Sequence, residues 1–374
     1  MPLMLPAATS GARSLTGVLP DVTAALTGAA SGLGAAASAI VFVIDGLGAL
    51  QLRTHAGHAR FLAPQMGKKD VASSVFPSTT AAALTSLLTG EWPGIHGLVG
   101  YRVLDPARGV LVNQLSGWEK EGVDPATWQR VPTSFERASG LRSYAIGLKE
   151  YDGSGFTRAI LRGAQYVSAD SPAERVAAAA SLASEPGALV YCYLPELDKA
   201  GHRYGVASAQ WVSALEIVDA ALGAADLPKG VGAIVTADHG MIDVPRHRHV
   251  LLDEDDIRFN GVAHVGGEPR LLHVYLEEGE DADAAALRWS VASGATADVA
   301  TRAEAIRDGA FGPVVDDEVL HRIGDLIVAA RGTWAFYDDR LTDKRAQLMI
   351  GQHGSTTPEE TLVPLIRLGA FARA

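Results

Sequence analysis

Five short runs of β-branched and apolar residues punctuate the chain, at 39–44, 188–194, 232–236, 271–276 and 325–329. Each has the length of a buried strand and is bounded by Gly, Pro or polar residues. Between them the apolar positions switch to helical spacing. Ser171-Pro172-Ala173-Glu174 is a capping box with proline at the first helical position, and it predicts a helix through 183. Ser208 opens a second helix, with Trp211, Leu215, Val218 and Leu222 on one buried face. Residues 76–80 read as a turn that leads into an apolar helix ending near Thr89. Strand alternating with helix predicts a mostly parallel sheet covered on both sides, a three-layer α/β/α sandwich. The stretch from about 242 to 344 is more charged, with acidic clusters at 253–256 and 277–283. It predicts a cap subdomain inserted into a single catalytic domain of 374 residues.

Composition narrows the class without naming a function. An apolar fraction of 48% and a charged fraction of 20% argue against disorder. Asp and Glu number 43 against 32 Lys and Arg, a formal charge of -11 that disfavours a nucleic-acid polymer as partner. Cys192 is the one cysteine, so an intramolecular disulfide is excluded. It lies inside a strand, where a packed thiol is expected. Residues 1–20 hold a single arginine, Arg13, and are broken by Pro and Gly, which does not fit a secretory signal. No apolar run of about 18 residues follows, so no membrane span is expected. The expectation is a soluble cytoplasmic protein.

One glycine-rich segment imitates a cofactor site. Residues 27–34 resemble the phosphate-binding turn of short-chain dehydrogenases. That turn must follow a strand and open a crossover helix. Residues 21–26 make only a weak strand, and the next strand begins near 39, which leaves no room for the crossover. None of the nine tyrosines is followed four residues on by Lys. The segment therefore reads as a loop between a helix and the first strand of the sheet.

The candidate chemistry sits just beyond strand ends. The first strand ends in Asp45-Gly46, the 188–194 strand leads to Asp198-x-x-x-His202, and the 232–236 strand to Asp238-His239-Gly240. In open α/β sheets ligands bind at that edge. Asp198 and His202, four apart, face the same way on a helix and can share a metal; a helix-start acid with a surface histidine is the plainer alternative. Asp238 and His239 reach one ion only if the chain turns sharply at Gly240; otherwise they are a simple turn. His353, between Gln352 and Gly354, is a sixth possible ligand. Ser78, Thr79 and Thr80 open a helix, where a hydroxyl serves either as an N-cap or next to a bound phosphate.

Taken in order, Asp45, Phe76-Pro77-Ser78-Thr79-Thr80, Pro93-Gly94-Ile95-His96-Gly97, Asp198-x-x-x-His202, Asp238-His239-Gly240-Met241 and His353-Gly354 resemble the alkaline phosphatase superfamily. The pattern is that of its type I phosphodiesterase / nucleotide pyrophosphatase branch. The resemblance runs from about 39 to 367. It implies an alkaline-phosphatase-like fold and hydrolysis of phosphodiester or pyrophosphate bonds of small, nucleotide-like substrates. It also implies a phospho-threonine-type intermediate on Thr80. Asp45, Asp238 and His239 match the ligands of one divalent ion, which also holds the Thr80 oxygen; Asp198, His202 and His353 match those of a second. The mixed oxygen and nitrogen set suits zinc, with manganese as the alternative. His96 matches a structural position. The family's asparagine after His-Gly is missing: Tyr101 stands there, followed by Arg102, and either is a candidate phosphate contact. That departure keeps a phosphomonoesterase or phosphonate hydrolase as an alternative. A non-catalytic metal-binding protein is the rival from another class. Ser154, Phe156 and Thr157 read as a surface loop or a pocket wall, and Lys149 and Arg162 as possible anion contacts.

Overall fold

The computed structural model describes residues 13–373. A seven-stranded sheet forms its centre, in the order Val71–Ser73, Leu362–Gly369, Val231–Thr236, Ser38–Ile44, Ala188–Leu194, Arg142–Gly147 and Gln165–Ser168. Leu362–Gly369 runs antiparallel to both neighbours, and the remaining strands are mutually parallel. Ser38–Ile44 lies in the middle and is buried at every position. Its Ala-Ile-Val-Phe-Val-Ile run suits a strand covered on both faces, where nothing polar needs to alternate. Its two neighbours are the strands that lead to Asp198 and Asp238, so three of the acids leave adjacent strands at one edge.

Helices form the outer layers. Pro172–Ala183 carries the capping box at Ser171 and Glu174, and Ala209–Gly223 is capped by Ser208 and buries Trp211, Leu215, Val218 and Leu222. Leu15–Thr27 packs against Thr80–Thr89. The structure corrects the weak strand expected at 21–26, which is the second half of that first helix. Ser14 caps its start, Gly28 ends it in the left-handed conformation, and Leu15, Val18, Leu19, Val22 and Ala25 form its buried stripe. Pro20 sits inside it and hides the pattern from a reading by breakers. The glycine-rich segment after it is the expected loop. The reading of the first twenty residues rests largely on 1–12, which lie outside the described residues. Among the described residues no helix is long and apolar enough to cross a membrane.

A second, antiparallel sheet pairs Val262–Glu268, Leu271–Leu276, Leu326–Ala330 and Ala297–Thr301 in that order. Its residues alternate between two cores. Leu271, Ile327 and Ala329 join the main core, while Leu272, Val274, Leu326 and Val328 close over Trp289 in a smaller one. Period-two alternation thus fixes the sheet to the main body by one face and to its own helix by the other.

Candidate active site

Each of the three acids is delivered by a strand end and a tight turn. Asp45 follows Ile44 directly. Gly46, next to it, is left-handed (φ 75°), and a Cβ there would lie 3.1 Å from the Cα of Asp198. Asp198 lies in the first turn of Glu196–Tyr204, with His202 one turn on. The turn at Asp238-His239 depends on Gly240 for space rather than for an unusual dihedral: a Cβ there would meet the Glu359 carbonyl oxygen at 2.0 Å. His353 follows Gly351–Gln352, which pairs with Ile242–Asp243 just beyond the Asp238 turn.

Two ligand-like groups result. Donor atoms of Asp45, Asp238 and His239 lie within 4.8 Å of one another, as do those of Asp198, His239 and His353. His202 adjoins the second group, with its Nε2 at 3.3 Å from Asp198 Oδ1. The His239 and His353 rings stack at 3.6 Å. All six expected acids and imidazoles therefore meet.

Hydrogen bonding sets the tautomers. Nδ1 of His202, His239 and His353 lies 2.8, 3.0 and 3.0 Å from the carbonyl oxygens of Gly351, Gly240 and Ser78. A carbonyl only accepts, so each Nδ1 carries the proton and each Nε2 presents a lone pair. Those Nε2 atoms face Asp45 Oδ1 at 3.5 Å, Asp238 Oδ2 at 3.4 Å and Asp198 Oδ1 at 3.3 and 3.8 Å. The same three carboxylate oxygens are buried and have no hydrogen-bond partner. Lone pair opposes lone pair, with no proton between, and a cation resolves this. Burial and like-charge crowding act on the same groups. Burial, then repulsion from Asp238 and Asp198, pushes the Asp45 carboxyl well above its ordinary range. Asp238 is raised chiefly by burial, and His353 is held well below an ordinary imidazole by burial and by His239 and His202.

Thr80 is the first residue of Thr80–Thr89, and Thr79 occupies the cap position. The Thr80 hydroxyl points instead at His239, with Oγ1 3.1 Å from Nε2. Helix capping is therefore not what this hydroxyl does. Behind the helix start, Glu268 is buried against the Thr79 hydroxyl, and burial pushes its carboxyl up to about 8.

The remaining candidates are placed as follows. Tyr101 and Arg102 line a cleft of 110 Å³ with Glu268 and Asp343, whereas Thr80, Asp45 and Asp198 line another. Ser154, Phe156 and Thr157 line the Thr80 cleft. Arg162 is tied to Glu136 and to the Val131 carbonyl. Cys192 is buried, which pushes its thiol up to about 12. Some contributors escaped the sequence reading. Tyr193 donates its phenol to Asp45 Oδ2, and Ser74 donates to the Asp238 carbonyl. Tyr191 and Tyr193, two apart on a strand that leads to the site, share a face, and that spacing was the available signal.

His96 closes the loop after the helix, as expected: its Nε2 contacts Ser86 Oγ at 2.9 Å and its Nδ1 accepts from Leu98 N–H. His273 is held alike, between the Val99 carbonyl and Gly324 N–H. In both rings a backbone N–H already occupies Nδ1, so a second ring proton has no place. Burial, then Arg322, lowers His96 to about 3; burial lowers His273 to about 4. Unfolded, both titrate near 6.5. The unfolded chain then binds more protons, so stability is full above that value and falls as the pH drops toward 4. At about pH 5 each ring should cost about 2 kcal/mol. Urea unfolding at about pH 7 and about pH 5 of the wild type against His273→Gln checks this, because the comparison cancels the opposite contribution of the raised Glu268 carboxyl; the same pH dependence in both proteins would refute it.

The fold is a mixed α/β one, whose mostly parallel sheet presents acids, imidazoles and a hydroxyl beyond its carboxyl edge. The model of the type I phosphodiesterase / nucleotide pyrophosphatase family matches residues 39–356, and the chain belongs to that family. Ectonucleotide pyrophosphatase/phosphodiesterase family member 3 of Rattus norvegicus is 27% identical over 256 residues, which is 62% of this chain and 28% of that protein. The chain thus spans less than a third of that relative's length. Among solved structures, murine ectonucleotide pyrophosphatase/phosphodiesterase 5 superposes with a TM-score of 0.68 at 20% identity, covering 88% of this chain and 87% of that one. Phosphonoacetate hydrolase from Sinorhizobium meliloti, in complex with phosphonoacetate, gives 0.69 at 20% identity, covering 90% and 91%. At those identities the likeness shows the fold.

Proposed function

We propose that the chain is a two-metal phosphodiesterase that cleaves a phosphodiester or pyrophosphate bond of a small molecule, with Thr80 as nucleophile. The observation that carries this reading is the set of buried carboxylate oxygens facing imidazole lone pairs, with the Thr80 hydroxyl directed at the same point. Asp45, Asp238 and His239 would hold one ion beside Thr80, and Asp198, His202 and His353 the other. Zinc fits the mixed donor set, and manganese is the alternative. When bound, such a pair supplies Lewis acidity that stabilises a threonine alkoxide and neutralises the phosphate.

The chain's own groups do the rest. The backbone carbonyls of Gly240, Gly351 and Ser78 hold the three rings in the tautomer that leaves Nε2 available. Tyr193 fixes Asp45 and leaves its second oxygen for the site. The free amides at the start of Thr80–Thr89 suit the non-bridging oxygens of a phosphate. The Thr80 oxygen bonds to phosphorus as one ester oxygen leaves in line and the hydroxyl proton passes to the departing alcohol through solvent; water then attacks the same phosphorus, releases the phosphate monoester and restores the hydroxyl. The inactive variant of murine ectonucleotide pyrophosphatase/phosphodiesterase 5 solved with AMP, and the phosphonoacetate complex, are consistent with a small phosphorus-containing ligand here.

The test compares bis(p-nitrophenyl) phosphate with p-nitrophenyl phosphate, each with added zinc or manganese. We expect the diester to be turned over faster, by about tenfold or more in kcat/KM. A faster monoester would make the protein a monoesterase on the same site. No turnover of either with any divalent ion would leave a binding protein.

A further inference from the structure

Thr80, Asp45 and Asp198 form one end of a cleft whose other walls come from the strand end at Gly147, the loop that follows it, and Ala188–Leu194. Rings dominate those walls: Tyr151, Phe156, Tyr166, Tyr191 and Tyr193. Tyr191 and Tyr193 lie nearly parallel at 6.3 Å, and Tyr151 meets Tyr193 edge-on at 6.0 Å. Leu84, Leu115, Ile146 and Ile160 fill the gaps between them.

Most polar atoms of this wall are already engaged within the protein. The Tyr166 phenol donates to the Leu148 carbonyl at 2.7 Å, and Tyr193 is bound to Asp45. Thr157 Oγ1 donates to the Tyr151 carbonyl at 2.7 Å and accepts from Ser154 Oγ at 3.1 Å. Among the described residues lining the cleft, Lys199 is the one cation, and its ammonium lies 2.7 Å from Glu150 Oε1. That leaves the phenols of Tyr151 and Tyr191. A nucleobase edge presents several donors and acceptors in a fixed pattern, and burying them unmatched is costly. A second phosphate would likewise find its only cation neutralised.

Size points the same way. The cleft has a volume of 190 Å³. A closed apolar cavity of about 150 Å³ takes one benzene ring. The enclosed part of this solvent-open cleft suits a single ring or a short branched chain, and a nucleoside would extend past its apolar walls toward solvent.

We propose that this cleft is the subsite for one ester substituent of the substrate, and that it selects an apolar or single-ring aryl group over a nucleoside. This rests on the phosphodiesterase reading and narrows its substrate class. The zinc-loaded full chain should be assayed with p-nitrophenyl diesters that differ only in the second substituent. Phenyl p-nitrophenyl phosphate should exceed the p-nitrophenyl ester of thymidine 5′-monophosphate by about tenfold or more in kcat/KM. Phe156 and Leu115 are both only half-buried, so either can be shortened with little risk to folding. Phe156→Ala, and independently Leu115→Ala, should each reduce that preference several-fold. An equal or preferred thymidine ester overturns the assignment while leaving the phosphodiesterase reading intact. A phenyl preference that neither variant alters places the phenyl group elsewhere and also overturns it. Absence of turnover on both esters overturns the phosphodiesterase reading, and the subsite with it.

Discussion

Thr80→Ala should lower kcat by about 10³-fold or more while the protein keeps its fold and its bound metal. The substitution removes the hydroxyl and the γ-methyl, and the hydrogen bond lost is the one to His239 Nε2 at 3.1 Å. Thr79, not Thr80, sits at the cap of the helix, so its start is unaffected. The six acids and imidazoles remain, so metal content should change little. A loss of that size corresponds to about 4 kcal/mol of transition-state stabilisation. Thr80→Ser, which keeps the oxygen but loses the methyl that restricts its rotor, should recover part of the rate. Steady-state kinetics with metal analysis of each variant reads both effects. Undiminished kcat in Thr80→Ala would remove Thr80 as nucleophile.

Arg270→Ala should destabilise the protein by about 3–5 kcal/mol and carry the activity down with it. Arg270 and Glu360 are both fully buried and joined by two parallel bonds of 2.7 and 3.0 Å. Removing the guanidinium strands a carboxylate in the interior. Glu360 also accepts from Ser355 N–H at 3.0 Å and from the Thr357 hydroxyl at 2.7 Å, while its carbonyl accepts from Gly240 N–H at 2.8 Å. One glutamate thus braces the segment just past His353 and the turn just past His239, and Arg270 anchors it from the loop between two strands of the second sheet. Arg270→Lys keeps the charge but not the bidentate geometry, so it should fall in between. Replacing both partners with apolar residues should cost less than removing either alone. Urea midpoints for the four proteins form the cycle; additive effects would show that the pair does not act as a unit.

The parallel core was legible because its strands are short, uninterrupted apolar runs and its helices begin with recognisable caps at Ser171 and Ser208. The ligand-like residues were legible for a related reason: adjacent parallel strands open at one edge, so acids just past 44, 194 and 236 must converge. Pairings between distant segments were not. Arg270 and Glu360 are 90 residues apart, and nothing local marks either as buried. Tyr193 lies 148 residues from Asp45, and nothing local ties the two together. The sharp turn at Gly240 was legible, but its reason, room for the Glu359 carbonyl, is a contact that exists only in three dimensions. The first helix was missed at 21–26 because Pro20 masks a stripe that is otherwise regular.

In the proposed reading paired ions on these six side chains activate Thr80, and a metal titration decides it. The protein is stripped with a chelator, then zinc is returned in increments while turnover of bis(p-nitrophenyl) phosphate is followed. We expect no turnover in the stripped protein, and activity that rises until about two equivalents are bound. Full activity without metal, or none after two ions have bound, would contradict it.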